Sequence, residues 1–156
     1  CDLYPENSLI NLARQPGFII LKSFGKFWGL AGLRLGFAIG RPETVNPLKY
    51  ALGPWQISGP ALSIGCQALQ DIKWAEKTRA NLYESAIRLD KVMRRYKLIG
   101  GTNLYRLYFV TDAKKLFRKL ASNKVLIRNF DYNRNWARIG LPKQEKDWEI
   151  LEKALK

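Results

Sequence analysis

Short apolar runs and amphipathic stretches divide the first half of the chain into two strands and two helices. An apolar run that follows Pro16-Gly17 is typical of a buried strand. Pro42 predicts the first turn of a helix, because proline fixes φ near the helical value, and Ser58 or Gly59 would cap the next helix. The pattern therefore predicts, in order, strands at 18–22 and 35–39 and helices at about 42–51 and 58–72.

A long amphipathic helix is predicted next, at about 74–97. Its apolar residues recur at steps of four and three and form one stripe: Leu82, Ala86, Leu89, Met93 and Tyr96. Gly100-Gly101 would end this helix, since glycine is common just past a helix C-terminus. The remaining pattern predicts strands at 104–110, 125–128 and 136–139, a helix at 113–121 capped by Thr111 or Asp112, and a closing helix at 143–155 with Trp148, Leu151 and Leu155 facing inward.

This order of elements predicts an α/β chain in two parts. Residues 1–73 combine strands and helices in the manner of a layered α/β domain, and residues 74–156 resemble a small α+β domain that begins with the long helix. Of the 156 residues, 47% are hydrophobic, and no apolar run reaches the roughly 18–20 residues that a bilayer span requires. We therefore expect a globular protein without a membrane segment.

Basic residues exceed acidic ones by a wide margin. The formal net charge is +14, and residues 79–156 contribute +11 of it, from 19 basic and 8 acidic side chains. Such an excess is typical of nucleic-acid binding, so a cationic nucleic-acid-binding module is one alternative. The basic side chains are mostly spaced singly along the predicted helices, however, which is more typical of a solvated face. We therefore expect no nucleic-acid partner.

Histidine and cysteine usage excludes several kinds of site. The sequence contains no histidine, which excludes catalysis by a Ser-His-Asp or Cys-His pair and a histidine metal site within this sequence. Its two cysteines, Cys1 and Cys66, are too few for a zinc cluster or a disulfide framework. We therefore expect no metal and a reducing, cytoplasmic setting.

The stretch richest in chemical information is the loop between the first two predicted strands, at 23–36. It holds four glycines together with Ser23, Lys26 and Arg34. Glycines permit a ligand to approach the backbone closely, a hydroxyl and a guanidinium suit a phosphate, and a lysine amine reacts with carbonyl groups. The aromatic residues beside Lys26 would shield its side chain from water.

Composition and spacing leave other interpretations of this loop open. It could be a tight connection between strands, with both cations solvated. Its Ser-x-x-Lys spacing also matches the nucleophile motif of penicillin-binding proteins, but the Ser-Asp-Asn and Lys-Thr-Gly companion motifs are absent from the sequence. A Walker phosphate loop is absent as well.

The sequence Ser23-Phe-Gly-Lys26 followed by Gly-Leu-Ala-Gly-Leu-Arg34-Leu-Gly resembles the cofactor-lysine signature of fold type I pyridoxal-phosphate enzymes of the class I/II aminotransferase group. The resemblance implies that Lys26 is the catalytic lysine, which bonds covalently to pyridoxal 5′-phosphate. It implies that Ser23 and Arg34 hold the cofactor phosphate. It also implies that 1–73 is the C-terminal part of the large, cofactor-binding domain and that 74–156 is the bridging helix and the small domain.

Further segments narrow the resemblance to the threonine-phosphate decarboxylases of cobalamin biosynthesis, relatives of histidinol-phosphate aminotransferase. These segments are 52–61, 100–107, 125–132 and 136–142. The resemblance implies decarboxylation of L-threonine O-3-phosphate to 1-amino-2-propanol O-phosphate, with amino transfer as the alternative. It implies that Arg138 binds the substrate carboxylate, and Arg128 is a second candidate for the carboxylate or the substrate phosphate.

The resemblance covers only the second half of the family's chains. The family's aspartate that pairs with the pyridine nitrogen would fall a few residues before Cys1. We therefore expect this chain to be a C-terminal fragment that binds the cofactor poorly alone. For the full-length protein, the resemblance implies a homodimer.

Overall fold

In the computed structural model, which describes residues 2–156, the chain divides into two units after Glu76. The first unit contains β1 (Ile19–Ser23), β2 (Gly36–Gly40), α1 (Pro42–Leu52), α2 (Gly59–Gln70) and the start of α3 (Ile72–Val92). The second unit contains the rest of α3, β3 (Lys97–Thr102), β4 (Tyr105–Phe109), α4 (Ala113–Ala121), β5 (Arg128–Phe130), β6 (Asn133–Gly140) and α5 (Glu145–Leu155). The assignment of the parts to a cofactor-binding and a small domain stays a prediction.

In the first unit, the two predicted strands pair antiparallel. Their register runs from Ile19 opposite Gly40 to Ser23 opposite Gly36. The connecting loop, at 24–35, is therefore held at both ends by the same hairpin.

Aromatic residues of this loop form a buried cluster. Phe24 is fully buried and stacks on Trp28 with ring centroids 5.6 Å apart. Trp28 stacks in turn on Trp74 of α3 at 5.4 Å, and Phe27 meets both tryptophans edge to face. This packing anchors the loop to the first turn of α3.

Helix caps are where the polar pattern predicted them. The Ser58 hydroxyl accepts a hydrogen bond from the Ala61 amide at 3.3 Å, at the start of α2. Of the two candidates before α4, Asp112 is the cap, because its carboxylate accepts from the Lys115 amide at 2.9 Å. Each cap pairs an amide that has no partner within its helix.

The second unit is a four-stranded antiparallel sheet, in the order β3-β4-β6-β5, with helices packed against one face. Its core is formed by buried side chains of α3, α4, α5 and that face, among them Leu89, Met93, Tyr108, Leu120, Ala137, Ile139, Trp148 and Leu151. In the closing helix, Trp148 and Leu151 are buried as predicted, and Leu155 is partly buried.

The predicted end of the long helix is wrong. α3 ends at Val92, and a turn in which the Tyr96 amide donates to the Met93 carbonyl at 2.8 Å leads into β3. Met93 and Tyr96 nevertheless pack against the core. The three-residue spacing of Met93 and Tyr96 predicted another helical turn, because a helix and an isolated turn both place residues three apart on the same side of the backbone.

Gly100-Gly101 do not end a helix either, since they lie inside β3, a strand that the pattern did not predict. Gly101 has φ of +129°, and a Cβ there would lie 2.5 Å from the Tyr105 carbonyl oxygen. The tight β3–β4 connection therefore requires glycine at this position.

The starts of the last two strands also differ from prediction, each by three residues. β5 begins only at Arg128. The Val125 amide does not pair with a strand, because it donates a hydrogen bond of 2.9 Å to the Leu120 carbonyl at the end of α4. β6 begins at Asn133, earlier than predicted. In residues 2–156 no helix is long and apolar enough to cross a membrane. Cys66 is a free, exposed thiol, and Cys1 lies outside the described residues.

Candidate active site

The segment around Lys26, residues 23–36 and here called the lysine loop, carries the three predicted site residues Ser23, Lys26 and Arg34. Ser23 is the last residue of β1, and Arg34 follows the short 3-10 turn Ala31–Leu33. The Lys26 carbonyl accepts from the Gly29 amide at 3.0 Å, which closes a turn at the lysine. All three side chains belong to exposed residues, so the loop presents a hydroxyl, an amine and a guanidinium to solvent.

Ser23 already uses its oxygen as an acceptor. Its Oγ accepts from the Gly25 amide at 3.1 Å. A hydroxyl has one hydrogen to donate beyond its lone pairs, so Ser23 can still donate to an anion.

Arg34 has an unusual backbone. Its φ is +53°, in the left-handed region that residues other than glycine rarely adopt. One guanidinium nitrogen, Nη1, donates to the Ala31 carbonyl at 3.2 Å. This bond fixes the side chain near the loop and leaves the other N–H groups of the fork for a ligand.

The expectation that aromatic rings shield Lys26 is wrong. Phe24, Phe27 and Trp28 are buried against one another and against Trp74, whereas Lys26 is exposed. The rings pack inward because burial of large apolar surfaces outweighs enclosure of a single amine.

A second lysine at the loop entrance is occupied. Lys22 forms an ion pair with Asp2 at 2.8 Å. Lys22 lies in β1, before the loop, and its charge is matched by that carboxylate. Lys26 is therefore the better candidate for covalent chemistry in this part of the chain.

In the second unit, Arg128 and Arg138 are direct cross-strand partners on β5 and β6. Directly opposite residues project from the same face, with Cβ atoms about 4.5–5.5 Å apart. The neighbours of Arg138 along β6, Ala137 and Ile139, are buried in the core, so both arginines lie on the face away from it. Within residues 2–156 neither guanidinium has a carboxylate partner, although like charges directly opposite destabilise a sheet.

Each arginine lies over an aromatic ring. The Arg138 guanidinium carbon is 4.6 Å from the centroid of Tyr105, and that of Arg128 is 5.3 Å from the centroid of Phe130. The sequence pattern did not single out Tyr105 as a site residue. Alternation along β4 places it on the arginine face, but that signal becomes readable only once the pairing of β4 with β6 is known.

A second polar cluster lies on the core face of the same sheet. Tyr108 donates to the Asp90 carboxylate at 2.7 Å, and Arg106 pairs with the same carboxylate at 3.1 Å. Burial, and then the bond to Asp90, raise the pKa of Tyr108 well above its ordinary value. Because it faces the core, this cluster ties α3 to β4 and is not part of the arginine site.

Comparison with known proteins assigns the family. The model of the family "Aminotransferase class I and II" matches residues 2–154. The chain belongs to the aminotransferase class I and II family. The pyridoxal-phosphate dependence of this family agrees with the signature around Lys26.

The relatives of this family member include two decarboxylases. The chain is 36% identical to a threonine-phosphate decarboxylase of Pseudomonas aeruginosa over 156 residues, which cover 99% of this chain and 47% of that protein. It is 39% identical to a threonine-phosphate decarboxylase of Sinorhizobium over 143 residues, covering 90% of this chain and 42% of that protein. The chain therefore spans about half the length of the curated relatives it matches.

Solved structures agree with the fold expected of an aminotransferase class I and II chain. The histidinol-phosphate aminotransferase of Sinorhizobium meliloti, solved in complex with pyridoxal-5′-phosphate, matches with a TM-score of 0.85 over 99% of this chain and 45% of its own, at 18% identity. The predicted class, part of a fold type I pyridoxal-phosphate enzyme, is confirmed. The roles of Ser23, Lys26, Arg34, Arg128 and Arg138 stay predictions.

Proposed function

We propose that the protein to which this chain belongs decarboxylates L-threonine O-3-phosphate to 1-amino-2-propanol O-phosphate, as a cytoplasmic homodimer in cobalamin biosynthesis. The observation that chiefly supports this proposal is the pair Arg128 and Arg138. Two cations on directly opposite strand positions, without a carboxylate partner in residues 2–156, suit a small ligand with two anionic groups. Threonine phosphate, after which the two decarboxylase relatives are named, is such a ligand, because it carries a carboxylate and a phosphate.

The lysine loop fits pyridoxal 5′-phosphate. The amine of Lys26 can bond to the cofactor's carbonyl carbon, while the hydroxyl of Ser23 and the free N–H groups of Arg34 can hold its phosphate. At the base of this loop Gly36 lets β2 approach β1 closely, since a Cβ there would lie 3.0 Å from the Lys22 carbonyl oxygen. When bound, the cofactor supplies an electron sink for the bond that is broken at Cα.

Arg138 would orient the substrate. A planar guanidinium binds a carboxylate through two parallel hydrogen bonds, which fixes both the position and the plane of that group. Arg128, on the neighbouring strand, would take the substrate phosphate. Which bond breaks depends on how the bound substrate is oriented, and a guanidinium that fixes the carboxylate would limit that orientation.

Amino transfer is the second candidate. A histidinol-phosphate aminotransferase of Symbiobacterium thermophilum is 38% identical over 79 residues, which cover 51% of this chain. The complete protein should be incubated with pyridoxal phosphate, threonine phosphate and a different 2-oxo acid as amino acceptor, while carbon dioxide and the 2-oxo acid formed from threonine phosphate are followed together. Carbon dioxide without that 2-oxo acid product supports the decarboxylase, and that product without carbon dioxide replaces it with the aminotransferase.

Two substitutions test the assigned residues. Lys26→Ala should abolish the visible absorbance of covalently bound cofactor, and full retention of that absorbance would exclude Lys26. Arg138→Ala should raise KM for threonine phosphate about ten- to a hundredfold, equivalent to about 1.4–3 kcal/mol for hydrogen bonds to a charged group. The matched control is Arg134→Ala on the same strand, which should change KM less than twofold.

A further inference from the structure

The side chain of Arg138, the proposed carboxylate ligand, has few polar neighbours on its face of the sheet. It lies on β6, the strand paired on both sides, where its direct partners are Leu107 on β4 and Arg128 on β5. Leu107 offers no polar group, and Arg128 repels. In residues 2–156 no ion pair or hydrogen bond of its guanidinium is found, so the attractive contact on this face is the ring of Tyr105.

The ring of Tyr105 is itself firmly placed. Tyr105 is the first residue of β4 and pairs with Thr102 across a two-residue turn. The turn is closed by the Leu104 amide, which donates to the Thr102 hydroxyl at 3.2 Å. The Tyr105 carbonyl lies so close to Gly101 that no Cβ fits between them. The backbone under the ring therefore has little room to move.

This geometry gives the ring a function. A free arginine side chain loses rotamer entropy when it binds, and repulsion by Arg128 would drive it away from the site. A guanidinium carbon 4.6 Å from a ring centroid is attracted electrostatically by the ring. The ring thus orders the fork before the substrate arrives.

We propose that Tyr105 is a positioning residue that preorganises Arg138 to bind the substrate carboxylate. The proposal rests on the proposed function, because it takes Arg138 as the carboxylate ligand. It assigns the effect to the aromatic ring and not to the phenol hydroxyl. Tyr105 acts through Arg138 and needs no contact with the reacting atoms.

The experiment uses the complete enzyme and the variants Tyr105→Phe and Tyr105→Leu. Tyr105→Leu should raise KM for threonine phosphate about three- to tenfold with kcat nearly unchanged, as the loss of a cation–π contact predicts. Tyr105→Phe keeps the ring and should leave KM within about twofold. The matched control is Phe109→Leu, an exposed aromatic residue on the same strand and face, which should behave as wild type.

A double-mutant cycle separates positioning from a general effect on folding. In the Arg138→Ala background, Tyr105→Leu should cause no further rise in KM, because its effect passes through the missing guanidinium. Additive effects, equal losses in Tyr105→Phe and Tyr105→Leu, or a wild-type KM in Tyr105→Leu would each overturn the proposal. If Tyr105→Leu unfolds, Tyr105→Met takes its place in the cycle, with the same outcomes.

Failure of the proposed function would look different. It would appear as a wild-type enzyme that does not turn over threonine phosphate, or as an Arg138→Ala variant with an unchanged KM. An active wild type, a weakened Arg138→Ala variant and an unaffected Tyr105→Leu variant would overturn only the positioning role.

Discussion

Substitution of Tyr108 by phenylalanine removes one hydroxyl from the core of the second unit and keeps the ring. The Tyr108 hydroxyl donates to the Asp90 carboxylate at 2.7 Å, and the residue is only 1% exposed. Hydrogen bonds to a charged group contribute about 1.5–3 kcal/mol, so we expect the free energy of unfolding to fall by that amount. Asp90→Asn should cost more, because it also leaves Arg106 without its counter-charge.

The hydrogen bond between Tyr108 and Asp90 also predicts that the free energy of unfolding depends on pH in the alkaline range. Burial and the bond to Asp90 raise the pKa of Tyr108 above its ordinary value of 10.0. As the pH rises past about 10, the unfolded chain therefore loses this proton before the folded chain does, and the free energy of unfolding falls. The stabilisation that Tyr108 contributes is fully present below pH 10. The Tyr108→Phe variant should therefore lose less of its free energy of unfolding above pH 10 than the wild type does.

Urea unfolding followed by circular dichroism, at neutral pH and above pH 10, measures both effects. Tyr132→Phe is the matched control, since Tyr132 is 78% exposed and should give a wild-type curve. Equal unfolding midpoints for Tyr108→Phe and Tyr132→Phe at neutral pH would show that the buried hydrogen bond contributes nothing. An unchanged alkaline loss in Tyr108→Phe would refute the linkage to this tyrosine.

Three further predictions concern the fold. Gly101→Ala should lower the free energy of unfolding by about 1–3 kcal/mol. The reason is that an alanine is strained at φ of +129° and its Cβ would clash with the Tyr105 carbonyl oxygen. Gly100→Ala, which meets nothing within 4 Å, is its control, and equal effects would contradict the strain. Leu120→Ala should cost about 2–5 kcal/mol in urea unfolding, since the side chain is fully buried; a loss below about 1 kcal/mol would mean that the core collapses around the gap. The hydrogen bond from Arg88 lowers the pKa of Glu145 below 4.5, so this pair stabilises the fold above pH 4.5 and the contribution is lost as the pH falls further. Acid titration of Glu145→Gln should therefore lack this loss, and an identical acid curve would contradict the assignment.

Periodicity and capping chemistry were enough to predict most elements of this fold. Both signals are local: Asp112 and Ser58 bond to amides three residues away, and the stripe along α3 repeats within a few turns. The signature around Lys26 is local as well, because one loop carries all its members. Such features are visible in the sequence without any knowledge of the sheet.

The features that sequence reasoning missed depend on contacts between distant segments. β3 is rich in glycine and exposed residues, so neither alternation nor an apolar run marks it, and only its pairing with β4 makes it a strand. The juxtaposition of Arg128 with Arg138 follows from the register of β5 on β6, across a bulge next to Asn129. The ring of Tyr105 under Arg138 requires the order of the sheet to be known.

The left-handed backbone at Arg34 has a consequence for protein engineering. A glycine would adopt φ of +53° without the steric cost that any other residue bears there, so relief of strain favours replacement of this arginine. Sequence optimisation guided by backbone stability alone would therefore select Arg34→Gly and discard the proposed phosphate ligand. Thermostability and cofactor affinity place opposite demands on this one position, and a library that varies it should be screened for both.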